Sequence, residues 1–164
     1  MVRSKINSRL SSISPVILVQ TDTTVGFVSQ NKKKLSEIKS RQSSKPFIKV
    51  YSSFKDLLES GNRVPKNKKN LVRRSKKTTF IVKNRAFRVS KQTLDSQALK
   101  NLKWNYSTSA NESGKKFDLE FCEYKADIII QNKDGLIENS SSSLIKINNT
   151  KKVRLRWVGL FKHF

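Results

Sequence analysis

Short blocks of apolar residues recur along the chain, each bounded by polar or turn-forming residues. Residues 16–20 are apolar up to the last position, whereas residues 104–108 alternate between apolar and polar positions. Both patterns are typical of β-strands, because a strand presents successive side chains to opposite faces of a sheet. Further blocks predict strands over residues 47–51, 78–82, 86–89, 126–130, 143–147 and 151–157. Residues 21–26 directly follow the block at 16–20 and are interpreted as a polar turn that contains a glycine.

Helices are predicted between several of these strands. Leu35 and Ile38 indicate a short helix over residues 33–40, and Ser53 with Asp56 forms a capping box for a helix that ends at Gly61. Two more helices are predicted, one over residues 118–123 and one behind Ser90 that carries Leu94, Ala98 and Leu102 at helical spacing. Residues 61–77 predict a basic loop with a short helical turn. Strands and helices mixed along the chain favour a single α/β domain with a mixed sheet.

Positive charge is the strongest feature of the composition. The 164 residues include 35 lysine and arginine residues against 12 acidic ones, a formal net charge of +23. Such a chain attracts anions from a distance. Contact with the phosphates of nucleic acid explains this charge, and so does a general enrichment in solvated lysine.

The residues that usually perform nucleophilic or metal-assisted catalysis are scarce. The chain has one cysteine, Cys122, and one histidine, His163 next to the C-terminus. An intrachain disulfide and a cysteine-based zinc site are therefore excluded, and a cysteine–histidine or serine–histidine pair is disfavoured. Cys122 stands among apolar residues, which favours a buried structural thiol.

The first residues are basic and polar, and their one apolar run is too short for a signal peptide or a membrane span. We therefore expect a cytoplasmic protein that does not contact membranes. The predicted organisation is a flexible basic N-terminus over residues 1–14, one domain over residues 15–157 and a tail over residues 158–164.

Four polar segments follow or precede predicted strands, which is where open α/β sheets place their ligands. Lysine and arginine supply charged donors, and serine, threonine and asparagine supply neutral ones, so each segment suits an anion. The segments are residues 21–26, residues 39–46, residues 107–114, and residues 140–143 together with Arg154 and Arg156.

In their order, these segments resemble the YrdC-like threonylcarbamoyl-AMP synthase family. Residues 108–114 carry that family's Thr-Ser-Ala-Asn-x-Ser-Gly motif intact, and residues 20–26 are similar to its Pro-Thr-Asp/Glu-Thr-Val-Tyr-Gly motif. Lys39, Arg41 and Pro46 match the family's Lys-Gly-Arg motif with its later proline, and Thr79-Phe80 matches the start of its Thr-Phe strand. Arg88-Val89 matches its Arg-Val-Pro motif. Residues 142–145 match its Ser-Thr-Ile/Val strand, and Arg156 matches its final arginine.

The resemblance implies a twisted, mostly open mixed sheet with a basic concave face. It also implies an activity that combines ATP, L-threonine and bicarbonate into threonylcarbamoyl-AMP and pyrophosphate, with Mg²⁺ accompanying ATP. A partner threonylcarbamoyl-transfer complex would then modify an adenosine beside the tRNA anticodon, and some members are similar to double-stranded RNA binders. The roles implied by position are ATP binding for Lys39, Arg41, Lys45, Asn84, Ser109, Asn111 and Arg156, with Lys39, Arg41, Ser109 and Asn111 acting in catalysis, and threonine binding for Thr23, Arg88, Ser107 and Ser142.

The chain departs from the family pattern at several positions. Val25 replaces the tyrosine of the first motif, and Val50 stands near the position at which many members carry a histidine. The segment between Gly26 and Lys39 is shorter than the corresponding segment of the family pattern. Gln20 replaces the leading proline, and Lys76-Lys77 replaces a proline–glycine pair. Two functions therefore stay open, an active synthase and a degenerate relative that binds RNA or nucleotide without catalysis. A ribosome-associated basic protein is a third alternative, which the intact segment 108–114 disfavours.

Overall fold

Nine strands and four α-helices form the part of the chain that the computed structural model describes, which is residues 14–40, 47–90, 102–131 and 133–156. In chain order they are β1 (Ile17–Gln20), β2 (Val25–Ser29), α1 (Lys32–Ile38), β3 (Ile48–Tyr51), α2 (Phe54–Glu59), a 3₁₀ turn (Lys66–Lys68), α3 (Lys69–Arg74), β4 (Thr78–Val82), β5 (Arg85–Val89), β6 (Trp104–Ser109), α4 (Leu119–Lys125), β7 (Ile128–Ile130), β8 (Ser143–Ile147) and β9 (Lys152–Arg156). The chain divides into a first unit, Met1–Phe47 with Asn105–Asn139, and a second unit, Ile48–Trp104 with Ser140–Phe164.

Four strands of the first unit are arranged in the order β7-β1-β2-β6. β1 runs parallel to β7 and antiparallel to β2, and β2 runs antiparallel to β6. One face of this sheet packs on α1 and α4 through an apolar cluster that includes Leu18, Phe27, Leu35 and Cys122. The predicted strands over residues 16–20, 104–108 and 126–130 therefore lie in one sheet, as expected.

Both helices of the first unit begin where a side chain satisfies free backbone N–H groups. Asn31 Oδ1 accepts from the N–H groups of Lys33 and Lys34 at the start of α1. Asp118 Oδ1 accepts from Phe121 N–H at the start of α4. This capping fixes the starts of the helices that cover the core face of the sheet.

Five strands of the second unit are arranged in the order β3-β5-β4-β8-β9. β4 and β5 form a hairpin whose turn residues, Lys83 and Asn84, both have positive φ angles, 47° and 63°. This conformation suits the right-handed twist of the two strands. Phe80 and Phe87 face each other across the hairpin and belong to an apolar cluster that includes Val72 of α3.

Side chains alternate between the two faces of the second unit's sheet. Thr79 and Arg88 neighbour Phe80 and Phe87 in the chain, so they point to the face opposite that apolar cluster. We call this the polar face of the second unit and the other its helix face. Val50 is the register partner of Arg88 across β3 and β5, so it belongs to the polar face as well.

Two sequence-based predictions in the described residues need correction. The predicted turn over residues 21–26 ends at Thr24, and β2 begins at Val25 and is buried at every position. The basic loop predicted over residues 61–77 contains a helical segment, as expected, but that segment is longer than one turn and consists of a 3₁₀ turn followed by α3. The predicted helix carrying Leu94 and Ala98, and the strand end at Trp157, lie outside the described residues.

Within the same described ranges, none of the helices combines the length and the apolar character needed to cross a membrane.

Gly26 is expected to be intolerant of any side chain. A Cβ atom at this position of β2 would lie 2.9 Å from the backbone oxygen of Thr108 on β6 and 3.1 Å from the methyl group of Thr21. Gly26→Ala should lower the free energy of unfolding in urea by about 1–3 kcal/mol, because the backbone oxygen cannot move away without disturbing the β2–β6 ladder. Gly135→Asn is the control, since Gly135 has a φ of 76° and its Cβ position has no neighbouring atom within 4 Å. Equal stability of the two variants would contradict this account.

Cys122 is expected to be inert in the folded chain, because its side chain is fully buried and burial raises its pKa to about 11. A thiol-specific disulfide reagent at about pH 8 should label it only after denaturant is added, since the thiolate is the reactive form and its usual pKa is about 8.5. The raised pKa also means that its contribution to stability is complete below pH 9 and is lost as the pH rises toward 11. Rapid labelling of native protein would show that this part of the core opens readily.

Candidate functional site

The turn between β1 and β2 is organised by the hydroxyl group of Thr21. Thr21 Oγ1 donates to the carbonyl oxygen of Thr24 at 2.7 Å and accepts from the N–H groups of Thr23 and Thr24 at 3.2 and 3.3 Å. Thr23, a predicted threonine-binding residue, is buried and lies 3.2 Å from Thr21 between hydroxyl oxygens. The turn therefore holds two threonine hydroxyl groups together at the end of β1.

Ser107, another predicted threonine-binding residue, approaches the same part of the first unit. Its Oγ lies 3.8 Å from the position that a Cβ atom would take at Gly26, and the Thr21 methyl group lies 3.1 Å from that position. Because Gly26 has no side chain, β6 and the threonine turn both come close to its backbone. The structure thus brings Ser107 near the turn that carries Thr23.

Lys39 joins the end of α1 to the turn that follows β6. Only 3% of this residue is exposed. Its Nζ donates to the carbonyl oxygen of Ser109 at 3.0 Å, to Asn111 Oδ1 at 2.7 Å and to the carbonyl oxygen of Asn111. Three of the predicted ATP-binding residues are therefore in direct contact.

The turn over residues 109–111 is also held from within. Ser109 Oγ donates to Asn111 Oδ1 at 2.6 Å, and Asn111 N–H donates to the carbonyl oxygen of Ser109 at 3.0 Å. Ala110 N–H donates to the carbonyl oxygen of Val25, which ties the turn to β2. Ser109 itself is exposed, so its hydroxyl group is accessible to a ligand while its backbone is fixed.

A second polar cluster lies on the polar face of the second unit. Arg88 is 5% exposed, and its Nε and Nη2 donate to Thr79 Oγ1 at 3.3 and 3.2 Å. Thr79 Oγ1 lies 2.9 Å from Ser142 Oγ. Arg156 Nε donates to the carbonyl oxygen of Ser142 at 2.9 Å, and its Nη2 lies 3.4 Å from Ser142 Oγ. Two guanidinium groups thus converge on one pair of hydroxyl groups.

The electrostatics of this cluster favour an anion. Partial burial, and secondarily the positive charge of Arg88, lower the pKa of the Arg156 guanidinium from its ordinary value. A carboxylate or phosphate group placed between the two arginines would offset their repulsion and accept hydrogen bonds from planar donors. The hydroxyl groups of Thr79 and Ser142 share one hydrogen bond, so one of their two hydrogens remains as a neutral donor at the same place.

The predicted site residues that the structure describes therefore form groups within each unit. Thr23, Lys39, Ser107, Ser109 and Asn111 belong to the first unit, and Arg88, Ser142 and Arg156 form the cluster in the second. Asn84 lies in the exposed turn of the β4–β5 hairpin and is not part of that cluster. Arg41 and Lys45 lie outside the described residues.

Sequence reasoning assigned no role to Thr79, the residue at the centre of the second cluster. A signal for it was present, because the hairpin turn at Lys83 and Asn84 fixes the register of β4 against β5. That register places Thr79 opposite Arg88, one step beyond the pair Phe80 and Phe87.

Lys39 is expected to be needed for the 109–111 turn. Lys39→Met should lower the free energy of unfolding by about 1–3 kcal/mol, because it leaves carbonyl oxygens without their charged donor. Lys34→Met is the control, since Lys34 is on the same helix and its ion pair with Asp127 spans 3.8 Å at the surface. Urea denaturation of both variants tests this, and a loss no larger for Lys39→Met than for Lys34→Met would contradict it.

Three solved structures share the fold of this chain. Sua5 of P. abyssi in complex with L-threonine has a TM-score of 0.71 at 19% identity, over 88% of this chain and 51% of that one. YciO of E. coli has a TM-score of 0.67 at 18% identity, over 89% and 84%. Full-length HypF in a phosphate- and nucleotide-bound form has a TM-score of 0.67 at 12% identity, over 88% and 22%. The chain thus spans about half the length of the P. abyssi protein.

No curated protein matches the chain significantly in sequence. A family model for the Sua5/YciO/YrdC domain, described as "Telomere recombination", matches residues 14–157. The match extends over most of the chain and confirms the family resemblance drawn from the sequence motifs. The chain therefore belongs to the Sua5/YciO/YrdC family.

Proposed function

We propose that this chain is an L-threonylcarbamoyl-AMP synthase that acts in the threonylcarbamoyladenosine modification of tRNA. The observation that carries the proposal is the cluster of Arg88 and Arg156 around the hydroxyl groups of Thr79 and Ser142. An amino-acid carboxylate is the kind of forked anion that such a cluster accommodates. The fold shared with a Sua5 that was solved with L-threonine supports the same ligand.

In this reaction the amino group of threonine and bicarbonate form a carbamate, with loss of water. A carbamate oxygen then attacks the α-phosphorus of ATP, and pyrophosphate leaves. In the proposal, Arg88 holds the threonine carboxylate and Ser142 supplies a neutral hydrogen bond beside it in the second unit. Thr23 and Ser107 of the first unit keep the threonine-binding roles that the family resemblance implies. The reaction needs no covalent nucleophile from the protein, so positioning and charge stabilisation supply the catalysis.

ATP is assigned to Lys39, Ser109 and Asn111, together with Arg41, Lys45, Asn84 and Arg156. Lys39 and Arg41 would offset the charge that develops on the phosphates as pyrophosphate leaves. Lys39 holds the 109–111 turn in place, and the exposed hydroxyl group of Ser109 would exchange its hydrogen bond to Asn111 Oδ1 for one to the nucleotide. The phosphate- and nucleotide-bound form of HypF, which shares the fold, supports a nucleotide as ligand.

Mg²⁺ would enter with the triphosphate. Across the described ranges, no group of three or more histidine, cysteine, aspartate and glutamate side chains is placed to hold a metal ion. The phosphates themselves would therefore provide the ligands, and the ion would neutralise part of their charge.

A second candidate function is a relative that binds nucleotide or RNA without forming the adenylate. Two departures from the family motifs favour this second function. Val50 lies beside Arg88 on the polar face, where it offers no hydrogen bond, and Val25 packs in the core of the first unit. A chain that lost the chemistry would still keep the cations that hold phosphate groups.

Release of pyrophosphate from ATP distinguishes these two functions. The purified chain should release it in a coupled assay only when threonine and bicarbonate are both present. Arg88→Ala should lower kcat/KM for threonine by about 30-fold or more, the loss expected when a buried charge pair with a substrate is removed. Arg88→Lys should restore little, because an ammonium group cannot form the planar fork.

The matched control is Arg85→Ala, which removes an exposed arginine from the same strand and should leave the kinetics unchanged. If the wild-type protein binds ATP but releases no pyrophosphate with threonine and bicarbonate, that result would overturn the proposal of synthase activity and favour the second candidate function.

A further inference from the structure

The hydroxyl group of Thr79 is held between two neighbours in the second unit's sheet. Thr79 is fully buried on β4, and Arg88 of β5 donates to its hydroxyl oxygen. On the other side β8 runs parallel to β4, and Ser143 N–H donates to the carbonyl oxygen of Lys77 at 2.9 Å. That contact brings Ser142 beside Thr79. Backbone hydrogen bonds on both sides of β4 therefore fix where this hydroxyl group lies.

The hydrogen bonds of Thr79 can run in only one direction. A hydroxyl group has one hydrogen and two lone pairs, whereas a guanidinium group donates and never accepts. Nε and Nη2 of Arg88 donate to Thr79 Oγ1 at 3.3 and 3.2 Å, so the lone pairs of this oxygen face Arg88. The hydrogen of Thr79 therefore points to its other neighbour, Ser142 Oγ, at 2.9 Å.

The hydroxyl group of Ser142 is constrained in the same way. Its Oγ accepts from Thr79, and a second donor, Arg156 Nη2, lies 3.4 Å away. Because both neighbours are donors, the hydrogen of Ser142 must point away from them. Among the residues that the structure describes, no hydrogen bond donated by the Ser142 hydroxyl group is found. This hydrogen is therefore a donor of fixed direction beside two guanidinium groups.

Carboxylates are scarce in this unit. Over the full sequence the second unit carries 22 lysine and arginine residues and three acidic ones. The two acidic residues described there, Asp56 and Glu59, belong to α2, which packs on the helix face through Leu57. In the described part of the unit, the polar face thus holds guanidinium and hydroxyl groups without a carboxylate of its own.

We propose that Thr79 is a positioning residue that sets the direction of the hydrogen bonds from Arg88 through Thr79 to Ser142, so that the cluster accepts only a group made of acceptors, such as a carboxylate. Both oxygens of a carboxylate accept, and neither carries a hydrogen. A carboxamide of the same shape brings an N–H group, which would face another donor. That the carboxylate belongs to threonine rests on the proposed function.

The test measures binding of L-threonine and of L-threonine amide to the full chain, without ATP or bicarbonate. Titrations are followed in ¹H–¹⁵N NMR spectra through the Nε–H signal of Arg88, which is identified by its absence from Arg88→Lys. The wild type should bind L-threonine at least about 100-fold more tightly than the amide, because the amide N–H group leaves donors of the site unpaired. Inorganic phosphate is titrated as well, and tighter binding of phosphate than of L-threonine would contradict the assignment to a carboxylate.

Thr79→Val keeps the shape of the side chain and removes its hydroxyl group. The affinity for L-threonine should fall about 10-fold or more, because Arg88 loses its acceptor and Ser142 loses its fixed direction. The affinity for the amide should fall by less than about 3-fold, since the released hydroxyl group of Ser142 can turn and accept from the amide N–H group. Thr79→Ser retains a hydroxyl group and should restore the preference for L-threonine.

The matched control is Thr78→Val on the same strand. Thr78 Oγ1 donates to the carbonyl oxygen of Lys76 at 2.8 Å, so this variant also loses one hydrogen bond. Thr78 points to the opposite face from Thr79, and both affinities should stay at the wild-type values. Urea denaturation of the two Val variants compares their stability. An equal loss of L-threonine affinity in both would assign the effect to weakened folding and would contradict the role of Thr79.

The proposal fails if Thr79→Val keeps the wild-type preference for L-threonine over the amide, or if Thr79→Ser does not restore that preference. A wild-type chain that binds neither compound would also overturn it. Because binding is measured without ATP and bicarbonate, a chain that releases no pyrophosphate can still show this selectivity, and an active synthase can lack it.

Discussion

Two buried cations organise the polar side chains of this protein. Lys39 in the first unit and Arg88 in the second are both less than a tenth exposed. A charged group taken out of water is costly unless hydrogen-bond acceptors surround it, so the positions of these acceptors are tightly constrained. Lys39 accordingly fixes the turn over residues 109–111, and Arg88 fixes the hydroxyl groups of Thr79 and Ser142. In each unit, burial of one cation arranges the side chains that a ligand would meet.

Most of the strands and helices were predictable from the sequence, because their signals are local. Alternation marked β6, the capping residues marked α2, and the glycine after α2 marked its end. β2 was missed because it is short, buried on both faces and preceded by four polar residues, so it shows no alternation. The length of α3 was underestimated because Leu71 and Val72 are its only apolar residues, too few to show a helical period.

The sequence was enough to predict which residues belong to the candidate site, but not which of them are in contact. Motif matching identified Lys39 and Asn111, but the pair is separated by 72 positions in the chain and meets only through the fold. Motif matching assigned Lys39 the role of a phosphate ligand, whereas the structure shows that its ammonium group also holds the 109–111 turn. Arg41 and Lys45 keep their predicted roles as hypotheses, as does the basic concave face.

The division of charge between the units has a consequence for folding itself. Over the full sequence the second unit carries a net charge of +19 and the first a net charge of +4, so self-repulsion in the compact state is much stronger in the second. Dissolved anions relieve that repulsion by screening, and a polyanion that binds only the folded form adds its binding free energy to stability. The two units of one short chain are therefore differently sensitive to ionic surroundings, and the basic unit is the one that anions stabilise more.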